Sequence, residues 1–71
     1  MGEKRLQIMV MTRALAAVAL FKRISNPPRT ETAKVVMMIQ EAYGMDPDLF
    51  SLHRDESLVR DALDFLREYG G

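Results

Sequence analysis

The sequence has no cysteine and only one histidine, His53. Without cysteine there is no disulfide and no thiolate metal site, and one histidine leaves no set of nitrogen ligands for zinc. The chain also has no glycine-rich phosphate loop and no strand-loop-helix nucleophile motif, so little supports catalysis. We therefore expect a protein that is not an enzyme and that holds no metal or cofactor.

Long apolar runs are also missing. The run from residue 14 to residue 21 lies between Arg13 and Lys22, and it is far shorter than the roughly 20 apolar residues that cross a membrane. As a secretion signal it would leave only about 50 residues after cleavage, with no disulfide to stabilise them. We therefore expect a cytoplasmic protein without a membrane partner, and the absence of cysteine favours the same compartment.

The charges are separated along the chain. Residues 1–40 carry seven basic and two acidic side chains, a net charge of +5, and residues 41–71 carry three basic and eight acidic ones, a net charge of −5. A basic segment can neutralise phosphates, whereas an acidic amphipathic segment is better suited to a protein partner. This separation, with a boundary near Gly44, divides the chain into a basic segment over residues 1–44 and an acidic helical extension over residues 45–71.

The size of the chain indicates self-association. Seventy-one residues bury only a modest share of their surface as a monomer, yet 48% of them are hydrophobic and six are methionine. We therefore expect a homodimer that buries part of this apolar surface between two copies.

The first segment alternates between apolar and other side chains. Leu6, Ile8 and Val10 occupy every second position, which favours a half-buried strand over residues 4–12. However, the apolar character continues to Phe21 and methionine favours helices, so one long helix over residues 5–24 is the alternative.

The remaining segments are helical in pattern. Thr12 is expected to cap a helix over residues 13–24, which Pro27 and Pro28 end. A second helix is expected from Thr30 or Thr32 to Tyr43, closed by Gly44. Asp46 and Pro47 then predict a third start. This final helix is interrupted near residues 53–55, where Asp55 is the expected cap, and its apolar stripe contains Leu49, Leu52, Val59, Leu63 and Leu66.

A single strand needs a partner, and the simplest partner is the same strand of a second copy, which gives a two-stranded ribbon that fits the major groove of DNA. Two parts of the sequence resemble the ribbon-helix-helix repressors, which include many antitoxins. They are the segment Lys4-Arg5-Leu6-Gln7-Ile8-Met9-Val10 and the later helix start Arg29-Thr30-Glu31-Thr32-Ala33-Lys34. The resemblance covers residues 4–43 and implies a DNA-binding and dimerisation domain over residues 1–44. It implies that the outward strand residues read bases and that the start of the second helix binds a backbone phosphate. The base-reading residues would be Arg5, Gln7 and Met9, and the phosphate-binding residues Arg29, Thr30, Thr32 and Lys34.

These positions carry suitable chemistry. Gln7 can pair with adenine, Arg5 with guanine or a phosphate, and Met9 can pack on a thymine methyl group. In addition, antitoxins of this family cover a toxin with a C-terminal tail. The matching surface here, which would suit a basic toxin, consists of Leu58, Val59, Ala62, Phe65, Leu66 and Tyr69.

Two functions therefore follow from the sequence. The first is a dimeric, sequence-specific DNA-binding repressor of the antitoxin type, with a mainly α ribbon-helix-helix fold and an acidic C-terminal helix. The alternative is an all-α module of three helices that binds other proteins and has no role with nucleic acids.

Overall fold

The computed structural model describes residues 2–70, with side chains from Arg5 onward, and no strand occurs within these residues. Their helices, in chain order, are α1 (Gly2–Phe21), α2 (Arg29–Met45), α3 (Pro47–Ser51) and α4 (Glu56–Tyr69).

The predicted N-terminal strand is wrong, and with it the ribbon-helix-helix fold. Residues 5–11 lie within α1, which satisfies its backbone N–H and C=O groups inside one segment, whereas a lone strand depends on a second chain. The apolar run with its methionines and alanines supports one continuous helix through Thr12, which is therefore not a cap. The all-helical alternative is the one that fits, although α1 ends at Phe21 and not at Ile24.

The second helix begins earlier than the sequence predicted. Pro27 and Pro28 separate α1 from α2 as expected, but α2 starts at Arg29, directly after Pro28. The carbonyl oxygen of Pro28 accepts hydrogen bonds from the backbone N–H groups of Glu31 and Thr32, both at 3.1 Å. Thr30 and Thr32 therefore lie inside the first turn and are not caps.

The two aspartate caps are confirmed. Asp46 accepts a hydrogen bond from the N–H of Leu49 through Oδ1 at 3.1 Å, and Pro47 occupies the first turn of α3. Asp55 accepts from the N–H of Leu58 at 3.0 Å and opens α4. The predicted interruption near residues 53–55 is the short connection between these helices.

One apolar core joins all four helices. Phe50 of α3, Leu15 and Val18 of α1 and Ile39 of α2 are fully buried, and the core contains no buried polar side chain among the described residues. The predicted segments 1–44 and 45–71 therefore fold against each other around a shared core. Its buried members are Met11, Ala14, Leu15, Val18, Val35, Ile39, Ala42, Phe50, Val59, Ala62 and Phe65.

The C-terminal ends of α1 and α4 lie side by side. The ring of Phe21 meets the ring of Phe65 edge to face, with centroids 4.7 Å apart, and Tyr69 lies 6.4 Å from Phe21. Next to this aromatic contact, Lys22 Nζ and Asp61 Oδ2 form an ion pair at 2.7 Å. The basic and acidic parts of the chain thus meet inside one molecule at this end.

Candidate protein-binding surface

The three predicted base-reading residues do not share a surface. Arg5 and Met9 are one helical turn apart and both are exposed, whereas Gln7 is half-buried on the other side of α1. The alternation that would place all three on one side of a strand distributes them around a helix. The structure therefore does not form the paired row of side chains that base reading required.

The predicted phosphate-binding residues lie in the first two turns of α2. Arg29 and Thr30 are exposed, but Thr32 Oγ1 donates a hydrogen bond to the carbonyl of Pro28 at 3.3 Å. Lys34 Nζ lies 3.7 Å from a carboxylate oxygen of Glu31, which is also in the first turn. One of the two cations at this helix start, Lys34, thus faces a carboxylate of the same helix, while Arg29 remains exposed.

The predicted partner surface of α4 forms the inside of the molecule. Val59, Ala62 and Phe65 are buried, Leu58 and Leu66 are half-buried against the core, and Tyr69 is exposed. This helix covers its own α1 and α2 with these side chains. Most of the apolar surface that was predicted to bind a toxin or another protein is therefore buried against other helices of the same chain.

An apolar row on the solvent side of α1 was missed by the sequence analysis. Leu6 is 53% exposed, Met9 51% and Leu20 62%, while Leu15 on the opposite side of the same helix is only 2% exposed. The exposed residues Leu6, Met9 and Leu20, together with the intervening Arg13 and Ala16, follow the three-four spacing of one helix face. We call this surface the outer face of α1, and it consists of Leu6, Met9, Arg13, Ala16 and Leu20.

The outer face of α1 is long, narrow and basic. From Leu6 to Leu20 it extends for about 21 Å along the helix axis. Arg13 lies in the middle of the row, Arg5 is exposed one turn before Met9, and Ala16 leaves a shallow place in the row. The sequence contains no aspartate or glutamate between Arg5 and Ile24, so no acidic side chain of α1 balances these arginines over this stretch.

The signal that reveals this surface is a period of 3.5 residues, which Leu6, Met9, Arg13, Ala16 and Leu20 share. In the sequence it is masked, because the core positions Met11, Ala14, Leu15 and Val18 fill the gaps with further apolar residues. A helix that is apolar on every side is usually buried on every side. In this molecule, however, one side of α1 remains exposed.

Other surface features are less suited to a specific site. A groove lined by Phe21, Phe65, Tyr69, Asp61 and Glu68 has a volume of about 380 Å³, but its aromatic rings pack on one another. The backbone N–H of Asp55 donates a hydrogen bond to His53 Nδ1 at 3.2 Å, so this histidine stabilises the turn before α4. Among the described residues, no cluster of side chains is arranged to hold a metal ion.

None of the helices in the described part of the chain is long and apolar enough to cross a membrane. No family model, curated protein or solved structure matches this chain.

Proposed function

We propose that this chain is a small all-helical module that binds another protein through the outer face of α1. The observation that carries the proposal is the uncovered apolar row of Leu6, Met9 and Leu20 on a helix whose other side forms the core. Burying such side chains contributes about 25 cal/mol per Å² of apolar surface removed from water. Exposed apolar side chains that lie together on one face beside charged residues are typical of a protein interface.

Binding and not catalysis is the function that this arrangement supports. The outer face of α1 contains one ionisable side chain, Arg13, and a guanidinium group is neither a nucleophile nor a general base. Specific binding through a helix of this kind uses apolar contacts at successive turns. We propose the cytoplasm as the compartment, supported by the cysteine-free sequence.

Residues 5–11 form a helix, so they cannot form a ribbon that reads DNA bases. The repressor and antitoxin functions remain predictions from the sequence, and no contact among the described residues favours them over protein binding. A homodimer also remains a prediction.

Position-specific photocrosslinking tests the proposed function. Ala16, in the centre of the outer face of α1, is replaced by the photoreactive residue p-benzoylphenylalanine in cells that naturally express the chain. The matched control places the same residue at Ser57, which is exposed on α4. We expect discrete crosslinked proteins from position 16 only, and their loss when Leu20→Glu is added. Identical products from both positions, or none from position 16, would refute the proposal.

A further inference from the structure

We infer that the partner of the outer face of α1 is an acidic amphipathic helix, with an apolar row bordered by carboxylates. This inference rests on the proposed function, since it specifies the chemistry of the partner for the same surface. It follows from three properties of α1: the sign of its charge, the spacing of its apolar row and the size of its central residues.

The charge of this surface selects an acidic partner. Arg5 and Arg13 are exposed, and Arg23 is exposed just beyond the end of α1. Among the side chains that the structure describes, from Arg5 onward, none of the three forms an ion pair, and the ion pairs of the basic segment involve Lys22 and Lys34. Arginines beside apolar surface attract carboxylates, often through two parallel hydrogen bonds, and repel a basic partner. An acidic partner therefore gains both affinity and specificity.

The spacing and side-chain size select a helix. The outer face of α1 repeats every three and four residues, which is the pattern that meets a second helix along a shared seam. Ala16 belongs to this seam and Ala19 is exposed beside it, so the axis of a second helix can approach to about 8–10 Å. A row of about 21 Å needs a partner segment of about 14 helical residues.

A second copy of the chain is a poorer occupant of the same surface. An antiparallel pair of α1 helices that matches Leu6 with Leu20 also places Arg13 against Arg13, because these residues lie symmetrically about position 13. A parallel pair places every arginine opposite its own copy. Like charges that face each other across a helix seam are unfavourable.

An anionic membrane surface fits less well for a different reason. Helices that lie on membranes gather Trp, Phe and Leu on one face and basic residues on the other. On α1, Arg13 lies within the apolar row, and no aromatic side chain belongs to the outer face. Insertion of this face into lipid would bury the Arg13 side chain together with Met9 and Ala16.

A matched series of peptides tests the inference with the full chain. The probe is a stapled helical peptide of about 21 residues, three heptads, with Leu at positions a and d and Glu at positions e and g. Two further peptides carry Gln or Lys in place of Glu. Fluorescence anisotropy titrations at about 0.1 M and about 1 M salt measure their affinities.

The acidic peptide is expected to bind at least about tenfold more tightly than the Lys peptide at low salt, with a smaller ratio at high salt. Arg13→Glu should abolish or reverse this preference. Arg60→Glu, the same change at an exposed arginine of α4, should leave it intact. Circular dichroism verifies that both variants remain helical.

The outcomes separate this inference from the proposed function. Equal binding of the three peptides, or no binding of the acidic one, overturns the acidic helix but leaves the crosslinks at position 16 to decide on protein binding. A dimer in sedimentation equilibrium that Leu20→Glu dissociates identifies a second copy as the occupant and overturns the inference. Binding to phosphatidylserine vesicles that Leu20→Glu abolishes identifies a membrane and overturns it as well.

Discussion

Helices α1 and α4 use their apolar side chains in different ways. On α4 they lie on one side of the helix, where all except Tyr69 are buried or half-buried, and charged residues occupy the other side. On α1 they lie on every side, so the residues that enter the core leave Leu6, Met9 and Leu20 in solvent. Helix α4 therefore completes the fold, whereas α1 both builds the core and leaves an apolar surface in solvent.

The largest effect is expected from shortening an aromatic side chain on α4. Phe65 is 7% exposed, and the centroid of its ring lies 4.7 Å from the centroid of the Phe21 ring. Phe65→Ala removes this contact and leaves a cavity, and should lower the free energy of unfolding by about 3–5 kcal/mol. Urea unfolding followed by circular dichroism measures the loss, which in a domain of this size brings the chain close to unfolding. A loss below about 1 kcal/mol would show that α4 is not part of the core.

The same substitution on two sides of α1 tests the comparison more sharply. Leu15→Ala in the core should cost about 2–5 kcal/mol in the free energy of unfolding, while Leu20→Ala on the outer face should cost less than about 0.5 kcal/mol. Both changes put the same residue into the same helix, so intrinsic helix propensity cancels. Equal costs, again from urea unfolding, would mean that Leu20 is covered in solution.

A smaller effect is expected at the start of α4. Asp55 accepts the hydrogen bond from the N–H of Leu58 at 3.0 Å, and Asp55→Ala leaves this donor without its side-chain partner. The free energy of unfolding should fall by about 1 kcal/mol. Asp64→Ala is the control, because Asp64 is exposed within α4 and has no capping role. If both variants lost the same stability, the cap would contribute nothing of its own.

The smallest effect is expected from the ion pair between the ends of α1 and α4. The side chains of Lys22 and Asp61 are 57% and 34% exposed, so water and salt screen their attraction. A double-mutant cycle with Lys22→Ala and Asp61→Ala should give a coupling of about 0.2–1 kcal/mol at low salt, which decreases at high salt. A coupling above about 2 kcal/mol would contradict a solvent-exposed pair.

Residues that act on their immediate neighbours predicted the ends of several helices correctly. Whether the first segment is a helix or a strand depends on how it packs against the rest of the molecule. Asp46, Asp55 and the Pro27-Pro28 pair act through neighbouring residues, so their roles are visible in the sequence. Leu6, Ile8 and Val10 alternate over only five positions, and this short pattern is compatible with either structure until the element that packs against it is known.

The candidate site was harder to predict than the fold, for the same reason. The apolar stripe of α4 is conspicuous in the sequence because polar residues surround it, and it was assigned to a partner although it faces the core. The outer face of α1 is hidden in the sequence because Met11, Leu15 and Val18 stand between its members. Only the positions of α2 and α4 reveal which apolar side of α1 remains uncovered.

The solvent accessibility of methyl groups in the free chain tests the central claim most directly. With a soluble paramagnetic probe in dilute solution, the methyl groups of Leu6 and Leu20 should relax strongly, whereas those of Leu15 and Val18 should be protected. Protection of Leu6 and Leu20 equal to that of Leu15 would contradict an uncovered outer face of α1, and with it the proposed function.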